Sequence, residues 1–521
     1  MQMLASPTQM LPVIVQVNAA TPPFAAGVNV TLAQQALNIL RTNGQVVGAL
    51  PIINAAAGWA DAAAITAMSL LPQVAEIDQD APVQPRRSTA TGASWPPGSL
   101  TSLYVQEVNA NSVWQQGGSG RGVTVAVLDS GVSPDLDLTR TSNRILASVG
   151  FAGPTSASSP DPGGHGTHIA GIIAGDGTRS AGQYVGMAPG ANIVSVQVLD
   201  ANGNGRVSSI LRGLDWVIAH QAQYNIRIVN MSFGAIAQGS YITDPMAAGV
   251  EVAWTRGLVV VAAAGNGGPS SGTVDTPGID PYAITVGSSD DRGTLTLADD
   301  VLGWWSSWSS ANGSTSQKPD LVAPGRRLVS LYVPGSTLSA LLPDHLVTAR
   351  NGSTYFRLTG TSMSTAVVSG AVALLLEHQP GLTPDQVKKI LTTTSQAFGQ
   401  GVTPSQPGSA GAGLLNAVAA FNGHTSAGAS KVPRPANGLT RALYPAIYGQ
   451  PLVWNNLNYL GGDWQNLTWT SLIWNGVAWD NIAWDNIAWD NIAWDKTSWD
   501  NIAWDKSGWD NIAWDGIVSL D

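Results

Sequence analysis

Three side chains that can share one reaction stand at the mouths of apolar segments. Asp129 closes VTVAVLD, His165 opens the helical stretch of GGHGTHIAGIIAG, and Ser362 opens that of GTSMSTAVVSGAVALLLEHQ. A serine hydroxyl is a poor nucleophile at neutral pH. It becomes a good one beside an imidazole that takes its proton and a carboxylate that fixes the imidazole tautomer. Each residue alone has an ordinary reading. Asp before Gly makes turns, a lone histidine on a small-residue helix packs inside, as His168 is read to do, and a serine at a helix start caps it. Together they supply orienter, base and nucleophile for acyl transfer. Gly163, Gly164 and Gly166 allow close backbone approach around His165. Asn266, which follows LVVVAAAG, adds a side-chain amide suited to an oxyanion.

Such residues can meet only if a fold gathers distant segments at one edge. From about Gly122 to Phe421 the strand-like runs VTVAVLD, NIVSVQVLD, IRIVNMSFG and LVVVAAAGN alternate with helical patterns such as HGTHIAGIIAG and SSILRGLDWVIAHQ. This alternation predicts an α/β body, a parallel sheet flanked by helices. Active groups of these sheets collect at the carboxyl ends of strands, and Asp129, Ser232 and Asn266 fall at or just after such ends.

The four segments VAVLDSGV, GGHGTHIAG, VVVAAAGNGG and GTSMSTA, in this order and with the triad order Asp, His, Ser, resemble those of the subtilisin-like serine proteases (subtilases, peptidase family S8) across roughly residues 110–422. The resemblance implies a serine endopeptidase acting on polypeptides through an acyl-enzyme on Ser362. His165 would be base and then acid, oriented by Asp129, and Asn266 with the Ser362 amide would form the oxyanion hole. Gly203, Asn204 and Gly205, and Ser232, Phe233 and Gly234, would be the two strands flanking an extended substrate. Ala263, Ala264 and Gly265 would line the specificity pocket, whose small walls leave room for a large apolar side chain. No organic cofactor is implied. The sequence departs from the family at Ser364 and Ala366, where Ala and Pro are usual, and the loop DGTRSAGQYVG lacks the Asn-containing pattern of tight calcium sites, so calcium stays unassigned. The alternative is a catalytically silent subtilase scaffold that binds surfaces through its tail; retention of every catalytic residue type weighs against it.

The rest of the chain reads as accessories to that body. Residues 1–85 carry strand and helix patterns in the order strand, helix, strand, helix, strand, from Val13–Val17 to Gln73–Ile77, and resemble the family's small α+β (ferredoxin-like) inhibitor propeptide. VAEIDQDAPVQP would be the extended segment that enters the active site, making this unit an intramolecular inhibitor. Residues 86–109, with Arg86 and Arg87 among Pro, Ser, Thr and Gly, read as a linker and maturation region. A second linker at 423–440 precedes a repeat tail at 441–521, in which Trp recurs every five residues from Trp464 to Trp514. That period matches neither helix nor strand; an aromatic surface for polymers or the cell envelope is one use of it.

Bulk properties bound the partners. A formal net charge of −10 argues against nucleic acid, which is held by clustered Lys and Arg. The absence of cysteine excludes disulfides, thiolate metal sites and cysteine nucleophiles. No apolar run approaches the roughly 18–20 residues that cross a bilayer. The first basic residue is Arg41, so no secretory leader is visible; a secreted, extracellular location is implied through the family.

Overall fold

The computed structural model describes residues 8–17, 30–85, 103–140, 142–152, 160–237, 239–309, 317–399, 408–425 and 436. Arg86, Arg87, the Trp-rich tail and most of the linker at 423–440 lie outside the described residues. Ala436 is buried, with its amide on the Glu251 carboxylate at 2.8 and 2.9 Å.

The front unit runs β1 (Leu11–Val17), α1 (Val30–Asn43), β2 (Gln45–Leu50), β3 (Ala55–Ala60), α2 (Ala62–Ser69) and β4 (Val74–Gln79). Its sheet has the order β2-β3-β1-β4 with every pairing antiparallel. Three strands were expected and four are present, because two of them form a hairpin between the helices. The Ala-rich run AAAGWA of β3 carries little strand propensity of its own and is held by neighbours on both sides. Period-two alternation gives the sheet two apolar faces. Val13, Val15 and Val17 pack with Leu32, Ala36, Leu40 and Met68 in the unit's own core. Ile14, Ala55 and Ala57, with Ile52 and Ile53 from the β2–β3 turn, belong to the core of the main body.

After β4 the chain continues as β5 (Pro82–Pro85) and, from residue 103, enters the body, where Tyr104, Val105 and Val108 already join the main core. The body's strands are β6 (Thr124–Asp129), β7 (Ile145–Gly150), β8 (Asn192–Gln197), β10 (Ile226–Met231), β12 (Val259–Ala263), β13 (Ile284–Asp290), β14 (Val301–Leu302) and β15 (Leu321–Pro324). The order is β14-β13-β12-β10-β6-β8-β7, with β15 also on β13 and only β14 antiparallel. Strands such as TVAVLD are buried along their whole length, as expected when helices cover both faces. The helices that matter for the site are α3 (His165–Ala174), α4 (Val207–Tyr224), α5 (Pro245–Thr255) and α6 (Thr361–His378). Helix α6, buried from Thr361 to Leu376, packs on β10, β12, β13 and β15 and against α3.

The front unit docks on α4 and α5 through the Pro51–Ile53 turn. Asp80 accepts from the Ser208 amide at 2.9 Å and hydroxyl at 2.7 Å, supplying an acceptor to the first turn of α4. The Arg206 guanidinium lies 5.0 Å from the centre of the Trp59 ring. Asp78 sits at the same junction. Burial first, then the nearby carboxylates of Glu76 and Asp244, raise its pKa to about 8. A carboxyl whose pKa is raised in the docked state contributes its full share of stability below its ordinary pKa of about 4, loses it progressively as pH climbs through about 8, and changes little beyond. Binding of a separate front unit to a Ser362→Ala body is therefore expected to weaken between pH 5.5 and 8.5. Asp78→Asn is expected to flatten that dependence in calorimetry, and an unchanged pH slope in the variant would refute the assignment.

Candidate active site

Asp129 ends β6, the strand between β10 and β8, and its carboxylate faces His165, the first residue of α3. Nδ1 of His165 lies 2.8 Å from Oδ1 and 2.9 Å from Oδ2, and both residues are buried. A carboxylate there holds the proton on Nδ1 and leaves Nε2 as a lone-pair acceptor. The buried Nε2 atom has no hydrogen-bond partner among the described residues. The close seat of α3 against β6 needs glycine at 166, where a Cβ would lie 2.0 Å from the Gly131 carbonyl oxygen.

A residue that sequence reasoning missed holds this helix start in place. Asp161 is buried and accepts from the Gly164 amide (2.8 Å), the Thr167 amide (2.8 Å) and hydroxyl (2.6 Å), and the Ser130 hydroxyl (2.8 Å). Burial raises its pKa while these four bonds pull it down. The available signal was an acidic residue four positions ahead of His165, which resembles an ordinary loop carboxylate until Gly164 and Thr167 are seen converging on it. His168 lies one turn on. Burial, with the His165 ring alongside, pushes its pKa down to about 3, and the neutral ring lies with Nε2 3.0 Å from the Phe356 carbonyl oxygen. It faces the core.

Ser362 occupies the first turn of α6, buried beside β11 (Phe233–Gly234), the short strand that follows β10. Its hydroxyl donates to the Ser232 carbonyl oxygen at 2.8 Å, and the Ser232 hydroxyl donates to the Ser362 carbonyl oxygen at 2.9 Å. Asn230 donates to the Ser232 hydroxyl at 2.9 Å and accepts from Ser369 at 2.8 Å, tying the nucleophile turn to the sheet. Ser364, a departure from the family pattern, is buried two residues further on, and the helix runs through Ala366 without interruption. The Asn266 side chain joins the same turn. Its Oδ1 accepts from the Thr361 amide (3.1 Å) and hydroxyl (3.0 Å), which directs its NH₂ group away. Nδ2 is buried without a partner among the described residues. The Asn266 amide group thus lies at the helix turn that carries Ser362, and His165, with its lone-pair nitrogen, opens a helix packed against that one, a set of groups suited to forming and stabilising a tetrahedral adduct.

The two expected substrate-flanking segments have β5 between them. Val83 pairs with Gly205 and Pro82 with Arg206 of β9 (Gly205–Arg206), while Gln84 pairs with Gly234 and Pro85 with Phe233, all antiparallel. Gly203 and Asn204 form the turn into β9, closed on Asp200 by the Gly203 amide to the Asp200 carbonyl (2.9 Å) and the Asn204 amide to its carboxylate (2.8 Å). Ala263 ends β12, and Ala264 and Gly265 follow it, opposite β11. In the loop DGTRSAGQYVG, Asp176 faces Arg144 at 3.7 Å and accepts from the Thr178 amide, and calcium stays unassigned. Among the described residues no cluster of three or more His, Asp or Glu is arranged to hold a metal.

Sequence comparison agrees with this architecture. The Subtilase family (peptidase S8) model matches residues 120–418, and the chain belongs to that family of serine-type endopeptidases. Serine protease AprX of Bacillus subtilis is 40% identical over 313 residues, covering 57% of this chain and 66% of that protein. Subtilisin Savinase of Lederbergia lenta is 32% identical over 61% of this chain and 97% of its own length. The crystal structure of fervidolysin from Fervidobacterium pennivorans, a keratinolytic enzyme related to subtilisin, shares the fold with a TM-score of 0.58 at 23% identity, over 80% of this chain and 62% of that one. Among the described residues no helix is long and apolar enough to cross a membrane.

Asn266→Ala is expected to lower kcat by about 10²–10³ with little change in KM, the size of effect known for this donor in subtilisin itself. Steady-state kinetics on a chromogenic peptide check it, and an unchanged kcat would remove Asn266 from the reaction.

Proposed function

We propose that this chain is a serine endopeptidase made as a self-processed precursor. Ser362 attacks the scissile carbonyl carbon while its proton passes to Nε2 of His165, whose charge Asp129 stabilises. The oxyanion is held by Asn266 Nδ2 and the Ser362 amide. The intermediate collapses as His165 hands the proton to the leaving amine. Water then repeats the sequence on the acyl-enzyme and frees Ser362. Substrates are exposed or unfolded polypeptides, bound extended against Gly203–Gly205 and Ser232–Gly234, and by its family the enzyme works outside the cell.

The observation that carries this reading is β5, a strand of the chain's own front unit, hydrogen-bonded on both sides in the groove that leads to Ser362. An antiparallel strand there has the geometry of a bound peptide, and Val83 is fully buried in it, a contact on the order of 1.5–3 kcal/mol. A unit held this way excludes other peptides until it is cut and released, which is how an intramolecular inhibitor acts.

A fluorophosphonate probe is expected to label the processed protein at Ser362. Ser362→Ala is expected to abolish labelling and to leave the purified precursor at full length. A folded protein that resists the probe, or a Ser362→Ala precursor that still shortens when purified alone, contradicts the proposal.

A further inference from the structure

The pocket walls named from the sequence are small, and the segment that bridges them carries a carboxyl group. The segment after Val274 runs along both walls. The Asp275 amide donates to the Ala264 carbonyl (2.9 Å), and Thr276 and Ala235 exchange amide–carbonyl bonds at 2.9 and 3.0 Å. Asp275 therefore lies where Ala263–Gly265 and Phe233–Ala235 converge, and it is only 5% exposed. Its side chain fills room left by two glycines. A Cβ on Gly265, whose φ is +114°, would lie 2.2 Å from Asp275 Oδ2, and one on Gly234 would lie 2.7 Å from Asp275 Cβ. Gly265 immediately precedes Asn266, and Gly234 pairs with β5. The carboxylate is thus built into the walls of the groove beside the reacting centre.

We propose that Asp275 makes the pocket for the residue on the acyl side of the scissile bond selective for a cationic side chain, arginine or lysine. The inference rests on the reading of this groove as the peptide-binding cleft. The carboxylate is nearly buried beside Gly234, Gly265 and the Ser307 hydroxyl, and a guanidinium or ammonium entering the pocket would add charge-assisted hydrogen bonds to it that an apolar side chain cannot make. A phenylalanine or leucine would cover the carboxylate and return nothing. Charge at the base of such a pocket is a general device for choosing the side chain next to the cut. On this proposal, Ala263, Ala264 and Gly265 would wall a charge-selective site in place of the apolar one that their small side chains suggest. A second observation agrees: the cleft strand ends at Pro85, and the next residues in the sequence are Arg86 and Arg87, which lie outside the described residues. The chain's own occupant of the groove is followed by the side chain that the pocket would accept.

The test is a set of peptide substrates identical except for Arg, Lys, Phe or Leu before the scissile bond, assayed with the self-processed full chain and with Asp275→Asn. Wild type is expected to favour Arg and Lys over Phe and Leu by at least about tenfold in kcat/KM. Asp275→Asn is expected to lose about 10² on the cationic substrates while keeping or improving hydrolysis of the Phe substrate. The N-terminus of the mature protein, read by mass spectrometry, is expected to follow Arg86 or Arg87. Wild type that prefers Phe or Leu overturns the proposal, as does Asp275→Asn that keeps the cationic preference. If Asp275→Asn hydrolyses nothing, Asp275→Ser repeats the comparison, and the wild-type preference alone still decides against the proposal if it is apolar. Failure of the protease reading is a different result: no substrate is cut and Ser362 takes no probe.

Discussion

The hydrogen bond between His165 and Asp129 sets the terms for the rest of the structure. It joins the end of a central strand to the start of a helix 36 residues further along the chain, so every neighbouring element must deliver these two groups at the same depth. The sheet contributes by placing β6 between β8 and β10. The helix contributes through the close approach that glycine at 166 permits, and Asp161 fastens the turn between them. Fixing Nδ1 this way leaves Nε2 with one role, to accept a proton from whatever stands in front of it. Among the buried atoms without partners in the described residues are His165 Nε2 and Asn266 Nδ2, the latter on a side chain bound to the turn that carries Ser362. In a folded protein such unsatisfied groups are costly, and in the proposed reaction the Ser362 hydroxyl would donate to Nε2 while the substrate carbonyl oxygen would accept from Nδ2.

The front unit obeys a complementary constraint. A four-stranded sheet with helices on one face must cover its other face, and the body does so through α4 and α5 while receiving Ile14, Ala55 and Ala57 into its core. The same docking directs β5 into the groove between β9 and β11, where its register is fixed on both edges. Occupancy of the groove and stability of the small unit are therefore coupled. Asp78 adds an electrostatic weakness to that junction, because its raised pKa makes docking depend on a proton.

Much of this was legible in the sequence for identifiable reasons. The alternation of apolar strands and small-residue helices specifies the parallel body, and the four motifs surround Asp129, His165, Asn266 and Ser362 with residues that few other arrangements need. What stayed hidden depends on contacts between segments distant in sequence. The β2–β3 hairpin was missed because AAAGWA becomes a strand only between two partners. Asp161 and Asp275 were missed because each looks like an ordinary loop carboxylate, and only the fold puts the first under the histidine helix and the second against Gly265. The partner of the Ser362 hydroxyl in the docked state, the Ser232 carbonyl, is a matter of rotamer and cannot be read from sequence.

The central claim is that His165 alone among the histidines offers a free ring nitrogen to the peptide groove. A peptidyl chloromethyl ketone, which alkylates a basic nitrogen beside a bound acyl group, tests this directly when the modified residue of the processed enzyme is mapped by mass spectrometry. The account predicts a single adduct on His165, absent when Asp129 is replaced by Asn or when a competing peptide fills the groove. An adduct on His168 or another histidine, or inactivation without any histidine adduct, would contradict it.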